Sequence, residues 1–395
     1  LSHVYDTTGR LARLDWNGAP LVSAITWNPL GQPTGWNWAF VTPGLAASRS
    51  YDTAGRLTAT EFSSYVYNGA GRITSLTQQL FYPADNDPTQ STITSSNTSW
   101  TVSYDAVGRI IGFDNSNAGA SDTASFSYDS NGNRTGSTRT LGGQTLSRTY
   151  SGDGASNHLL GFTQTGSVAT SVSYAYNANG DLTGDGLRSY TYNAEGRLSG
   201  ATTGATDSSP TTAYPSNGVG QGVSKTEPLY PPAEGDESDP GFFATLAAFF
   251  QRLWSAPVTE SEKLGYGYLY DEQGTLLAEM GAGGANSAGN ARYIWLPTAS
   301  GPMPVAVLVN GTDFYAVHAD HLNTPRRLTD ASGQAVWQWA YSAFGEEKPT
   351  LAKWRFANLD ITANPGMTSA PAMKFNLRYP GQYFDEESGL HYNYF

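Results

Sequence analysis

A chain of 395 residues with 44 glycines, 24 tyrosines and only 14% charged residues is long enough to bury a large core, but it is poor in the residues that build helices. A formal net charge of -12, with the arginines scattered rather than clustered, excludes a nucleic-acid or anionic-membrane surface as the expected partner. With no cysteines there is no disulfide framework or thiolate chemistry, and no continuous apolar run reaches the roughly 18 residues of a spanning helix. No charged-then-apolar leader opens the chain, which starts close to a repeat and stops on one, as a piece of something longer would.

The first recognisable element is YDTTGRLARL at 5–14, and it recurs down the chain. Tyr5, Asp6, Gly9 and Arg10 are followed by Tyr51, Asp52, Gly55 and Arg56, then by Tyr67, Asn68, Gly71 and Arg72. Tyr104, Asp105, Gly108 and Arg109 come next, then Tyr128, Asp129 and Gly132, and Tyr176, Asn177 and Gly180. Tyr192, Asn193, Gly196 and Arg197, and finally Tyr270, Asp271 and Gly274, complete the series. A divergent copy, ITWNPLGQPTGW at 25–36, keeps the aromatic residue, Asn and Gly without the Arg.

Most copies are approached by alternating aromatics, as in Trp100, Val102 and Tyr104 or Tyr266, Tyr268 and Tyr270, which a strand places on one face. The Asp or Asn then begins a type I turn by bonding its own backbone two residues on, and Gly takes the positive φ that such a turn and its bulge require. Leu57, Ile73 or Leu198 returns on the next strand to the apolar face. The unit is therefore a β-hairpin. A lone hairpin is marginal in water, so neighbours 16 residues apart, as at 51 and 67 or 176 and 192, are expected to stack into one sheet. The fold class is all-β: repeated hairpins in one long antiparallel sheet, which the resemblance given below implies is curved and spiralling.

Four segments are expected. Residues 1–202 form a repeat sheet; 203–240, rich in Pro, Gly, Ser and acids, form a flexible loop; 241–256, with GFFATLAAFFQRLW, form an amphipathic helix packed on or plugging the sheet; and 257–395 resume the repeats. A membrane-active or partner-docking helix is the competing reading of that apolar stripe. GAGGANSAGN at 281–290 is a second loop, without the strand, helix and Lys of a phosphate cradle.

The Y-D/N-x-x-G-R-L/I unit resembles the YD repeat of the RHS (rearrangement hot spot) family, and two later stretches sharpen the likeness. VHADHLNTPRRLTDASGQAVWQWAYSAFGE (317–346) carries Asp320, His321, Pro325, Arg326, Trp337, Phe344 and Gly345; LRYPGQYFDEESGLHYNYF (377–395) carries Gly381 and Gly389. The resemblance implies a β-ribbon spiralling into a hollow shell around a toxic C-terminal cargo, in a secreted or cell-surface-associated bacterial protein. The partners would be the remaining shell and the enclosed toxin domain, with self-association through sheet edges as a further expectation. Members of the family often cut themselves at an Asp-Pro-x-Gly-Leu-type site, expected beyond Phe395, so no residue here receives a catalytic role and no cofactor is called for. Some 200 strand residues at about 16 Å² each enclose room for only about 40 packed residues, so an open or incomplete wall is expected.

Two local constellations suggest chemistry. His318, Asp320 and His321 have the spacing of a metal site, against which stands their place in a family motif. Asp385, Glu386 and Glu387 offer paired carboxylates, but in a repeat-like turn they are expected to be solvated. Besides the structural shell, two other classes remain open: an extracellular carbohydrate- or cell-surface-binding module using exposed tyrosines, and a self-processing protease or other hydrolase.

Overall fold

A computed structural model describes residues 1–83, 93–116, 122–204, 209–228, 264–284, 287–349 and 373–393. Among them every regular element is a strand. The helix expected at 241–256 lies outside the described residues. The strands fall into sheets of 15, 5, 8 and 2, and in each the spatial order is the chain order, so a strand pairs with its sequence neighbours. That is what a chain of hairpins must produce, because each turn returns the chain directly beside the strand it has just left.

The chain divides into two units, Leu1–Ser171 with Tyr293–Leu308 and Thr312–Pro380, and Val172–Arg292 with Val309–Gly311 and Gly381–Phe395. In the first unit, strands Leu11–Trp16, Ala19–Trp27 and Pro33–Trp38 turn Leu14, Val22 and Trp38 inward. They pack on Ile294, Leu296, Met303, Val305 and Ala316. Strand Gly301–Val309 is buried at six consecutive positions, as a strand covered on both faces must be. Further along, Leu57, Leu76, Trp100, Val102 and Phe113 pack on Ala340 and Tyr341. Burial of side chains of this size contributes roughly 1.5–3 kcal/mol each.

Part of the stretch expected as a loop at 203–240 has regular structure. Strands Thr211–Ala213 and Ser224–Thr226 flank a turn in which Gly220 N donates to Asn217 O (2.9 Å) and Asn217 N to Gln221 O (2.9 Å). The Pro, Gly, Ser and Asn that mimic a linker in composition are here the residues of a divergent repeat. Residues 229–240 of that loop lie outside the described residues.

Candidate functional site

The repeat turns have one geometry. Asp6, Asp52, Asn68, Asp105, Asp129, Asn177, Asn193 and Asp271 each accept, through one side-chain oxygen, the N–H groups two and four residues on, at 2.7–3.1 Å. Gly9, Gly55, Gly71, Gly108, Gly132, Gly180, Gly196 and Gly274 sit at φ between +74° and +92°, where a Cβ is strained. The register slips at each turn, for example between Ser50 and Tyr51, which marks the bulge.

The tyrosine before each turn fastens it to the previous one. Tyr67 donates its hydroxyl to Leu57 O at 2.7 Å, Tyr104 to Ile73 O at 2.7 Å, Tyr128 to Ile110 O at 2.6 Å, and Tyr192 to Leu182 O at 2.7 Å. Tyr51 and Tyr270 do the same to Pro33 O and Gly222 O. Arg56 lies over the Tyr67 ring at 4.7 Å, Arg72 over Tyr104 at 5.3 Å and Arg109 over Tyr128 at 4.8 Å. Arg56 also bonds Asp52 at 2.7 Å and holds that carboxyl below its usual range. Tyr, Asx, Gly and Arg thus make a clasp between successive hairpins. Tyr5 is 59% exposed, Arg10 reaches Asn28 O (3.4 Å), Tyr176 is half-buried, and Arg197 pairs with Glu195 instead.

The second arrangement is a buried polar strap in the first unit, carried by strands Asp313–Ala319, Pro325–Thr329 and Ala335–Gln338 and the residues after them. Gln78, flanked on its face by Leu76 and Leu80, is fully buried; its Nε2 donates to Trp339 O (3.2 Å) and its Oε1 accepts Tyr341 N (3.1 Å). Gln338 reciprocates, accepting Phe81 N (2.8 Å) and donating to Phe81 O (3.1 Å). The two amides replace a backbone ladder where side chains cross from one layer to the other. Tyr65 and Tyr341 share a hydroxyl contact at 2.6 Å, Trp38 Nε1 donates to Val305 O at 2.7 Å, and Arg139 pairs with Glu347.

The histidines and aspartate that suggested a metal belong to this strap and do not converge. His318 Nδ1 meets Glu61 Oε1 at 2.6 Å and Nε2 meets Thr329 Oγ1 at 3.1 Å, so neutral imidazole serves as donor to one and acceptor from the other. Asp320 opens a repeat turn in which Asn323, at φ +62°, stands where Gly usually does; its other oxygen takes Arg326 Nε at 2.8 Å. Arg326 is sandwiched between Trp339 and Tyr341, each at 4.4 Å. His321 lies on the Tyr65 ring. Among the described residues no three His, Cys, Asp or Glu form a metal-sized group.

The other family-motif residues serve packing. Pro325 starts its strand opposite Ala319, Trp337 packs edge-on to Phe375 at 5.2 Å, and Phe344 meets Phe126 at 4.9 Å beneath Arg134. A Cβ on Gly345 would fall 2.8 Å from the Tyr379 ring, and Gly381 has a φ of +77°.

Burial lowers the His318 pKa to about 4, with Arg327 adding to the effect against the pull of Glu61. The unfolded chain takes up this proton below about 6.5, whereas the folded chain resists until about 4. Stability is therefore present above pH 6.5 and lost as pH falls through that window, by up to about 3 kcal/mol. Urea midpoints between pH 7 and pH 4 should fall less steeply in His318→Gln than in the parent chain.

In the second unit the acidic turn at 385–389 is solvated only in part: Glu386 is exposed and Glu387 half-buried, but Asp385 is buried. Asp385 is 6% exposed and Lys225 2% exposed; Lys225 Nζ bonds Asp385 Oδ2 at 2.8 Å and also pairs with Glu387. Tyr214 donates to Asp385 Oδ1 (2.6 Å), and Ser388 N donates to the same oxygen (2.8 Å). Gly389 closes the turn at φ +69°. Burial works to raise the Asp385 carboxyl, but Lys225 and its hydrogen bonds hold it below its usual value; Glu387, where burial and Asp385 outweigh Lys225, is raised. Asp385 can be buried because Lys225, more than a hundred residues earlier, supplies the counter-charge. Sequence reasoning missed Lys225, Glu61, Arg49 and Gln78. The available signal was a polar residue at an inward position of an alternating strand, as Gln78 is between Leu76 and Leu80.

A family model described as RHS protein matches residues 315–347, the strap itself. Double-stranded DNA deaminase toxin A of Burkholderia cenocepacia (strain H111) is 36% identical over 78 residues, which is 20% of this chain and 4% of that protein. The structure of the Photorhabdus luminescens Tc holotoxin pore matches 99% of this chain and 19% of its own, with a TM-score of 0.55 and 14% identity. The TcdB2-TccC3-TEV crystal structure matches 100% of this chain and 19% of its own, with a TM-score of 0.57 and 14% identity. The chain thus spans about a fifth of the solved chains, and at that identity the likeness is one of fold. The clasped YD turns and the match over residues 315–347 make this chain similar to RHS proteins, and its all-β fold is shared with the Tc toxin structures.

Proposed function

We propose that this chain is a non-catalytic wall segment of an RHS shell that encloses a toxic C-terminal cargo in a secreted bacterial protein. Its partners in this reading are the remaining shell and the cargo. The observation that carries the reading is the likeness of essentially the whole chain to the Tc toxin structures. The chemistry of the repeats supports it: the tyrosine hydroxyls and arginines that a glycan- or substrate-binding face would present are spent on neighbouring turns. A wall built this way resists opening because each hairpin is tied to the next and the strap ties two layers. The sheet edge at Ser2–Tyr5 suits a further repeat or a second copy.

Limited proteolysis of the full-length protein that carries this chain tests the reading. The cargo is expected to be cut at least tenfold more slowly in the native protein than as an isolated domain. Equal rates would overturn it.

A further inference from the structure

The first unit contains a cavity of about 550 Å³ whose wall includes Arg49, Tyr51, Arg56, Tyr67, His321 and Asn323. Its charges are not balanced. Arg49 is 7% exposed and donates through Nη2 to two backbone oxygens, Ala319 O at 2.7 Å and Asp320 O at 3.1 Å. It forms no ion pair among the described residues, because each nearby carboxylate is held by another group. Glu61 is held by His318, Asp320 by Arg326 and Asp52 by Arg56. His321 Nδ1, in the same wall, is buried without a hydrogen-bond partner among the described residues.

Two backbone carbonyls and the Trp36 ring, 5.8 Å away, receive the Arg49 guanidinium without neutralising it, and a charge removed from water without a counter-anion is costly. A planar fork of N–H donors beside an open cavity is what recognises a carboxylate. The cavity falls within the range of small-ligand sites. Tyr51 and Tyr67 supply ring surface for the aliphatic part of a ligand, while their hydroxyls are already engaged by Pro33 O and Leu57 O. We infer that this cavity is a binding site for a single carboxylate, anchored by Arg49. The carboxylate belongs either to an Asp or Glu side chain of a bound polypeptide or to a small free acid; the recognising chemistry is shared.

Thermal unfolding at constant ionic strength tests this with three probes. N-acetyl-glutamate α-amide presents a side-chain carboxylate, succinate a free acid, and N-acetyl-glutamine amide neither. The two acids are expected to raise the midpoint by several degrees at millimolar concentration and the neutral amide to leave it unchanged. A larger effect of the glutamate probe assigns a polypeptide side chain; a larger effect of succinate assigns a free acid. Arg49→Met should lose the response. Asn323→Asp, at a left-handed φ that Asp tolerates, places a carboxylate in the wall. It should raise the midpoint without ligand and blunt the response. An equal effect of acid and amide, or a full response retained by Arg49→Met or by Asn323→Asp, would overturn the site.

Discussion

Arg326→Met is expected to destabilise the protein by about 3–5 kcal/mol at neutral pH, because it leaves Asp320 buried without its cation. Asp320 is fully buried, and the guanidinium that holds its carboxyl below the usual range also fills the space between Trp339 and Tyr341. Methionine replaces the aliphatic stem but has neither charge nor fork. In the variant burial is opposed only by His321 and the Leu322 and Thr324 N–H groups, the folded pKa of Asp320 is expected to rise above the unfolded value, and the deficit shrinks as pH falls. Urea unfolding at pH 7 and pH 5 reads both effects. Adding Asp320→Asn should recover much of the loss, since the Oδ1 that caps Leu322 and Thr324 is kept, as Asn68 and Asn193 keep theirs. An Arg326→Met chain as stable as the parent at pH 7 would mean the strap does not hold the layers.

Lys225→Met should have an effect of similar size in the second unit, about 3–5 kcal/mol at neutral pH, and a distinctive pH dependence. Lys225 is the cation that Asp385 and Glu387 share. With it in place, Asp385 has a lowered folded pKa and contributes stability above its unfolded value that is lost as pH falls. Without it the two carboxyls titrate as a pair, one is pushed to hold a proton, and stability is gained as pH falls. The urea-midpoint deficit of the variant should therefore shrink from pH 7 to pH 5. Lys225→Met combined with Glu387→Gln should remove most of that pH dependence. A parallel, merely lowered profile would show that Lys225 acts by packing alone.

These two variants separate what neighbours in sequence decide from what distant partners decide. The turn is complete within five residues: Asp52 bonds Ala54 and Arg56, and Gly55 supplies the positive φ. Its chemistry can be read from the string itself, and so can the strands on either side, because alternation fixes which side chains face inward. The strap motif was equally visible as a string, but its chemistry was not. Asp320-His321 looked like half a metal site because two residues next to each other carry no sign of Glu61, Arg326 or Tyr65.

The sequence by itself determined the repeated hairpin, the antiparallel meander and the family likeness, since each depends on backbone preferences and side-chain periods spanning a few residues. Only the tertiary structure decided which polar groups are buried and who neutralises them. Glu61 meets His318 across 257 residues, Gln78 meets Trp339 across 261 and Lys225 meets Asp385 across 160. The physical reason is that the cost of burying a charge or an amide is set by its spatial neighbours, and layer packing, which no local pattern encodes, chooses them.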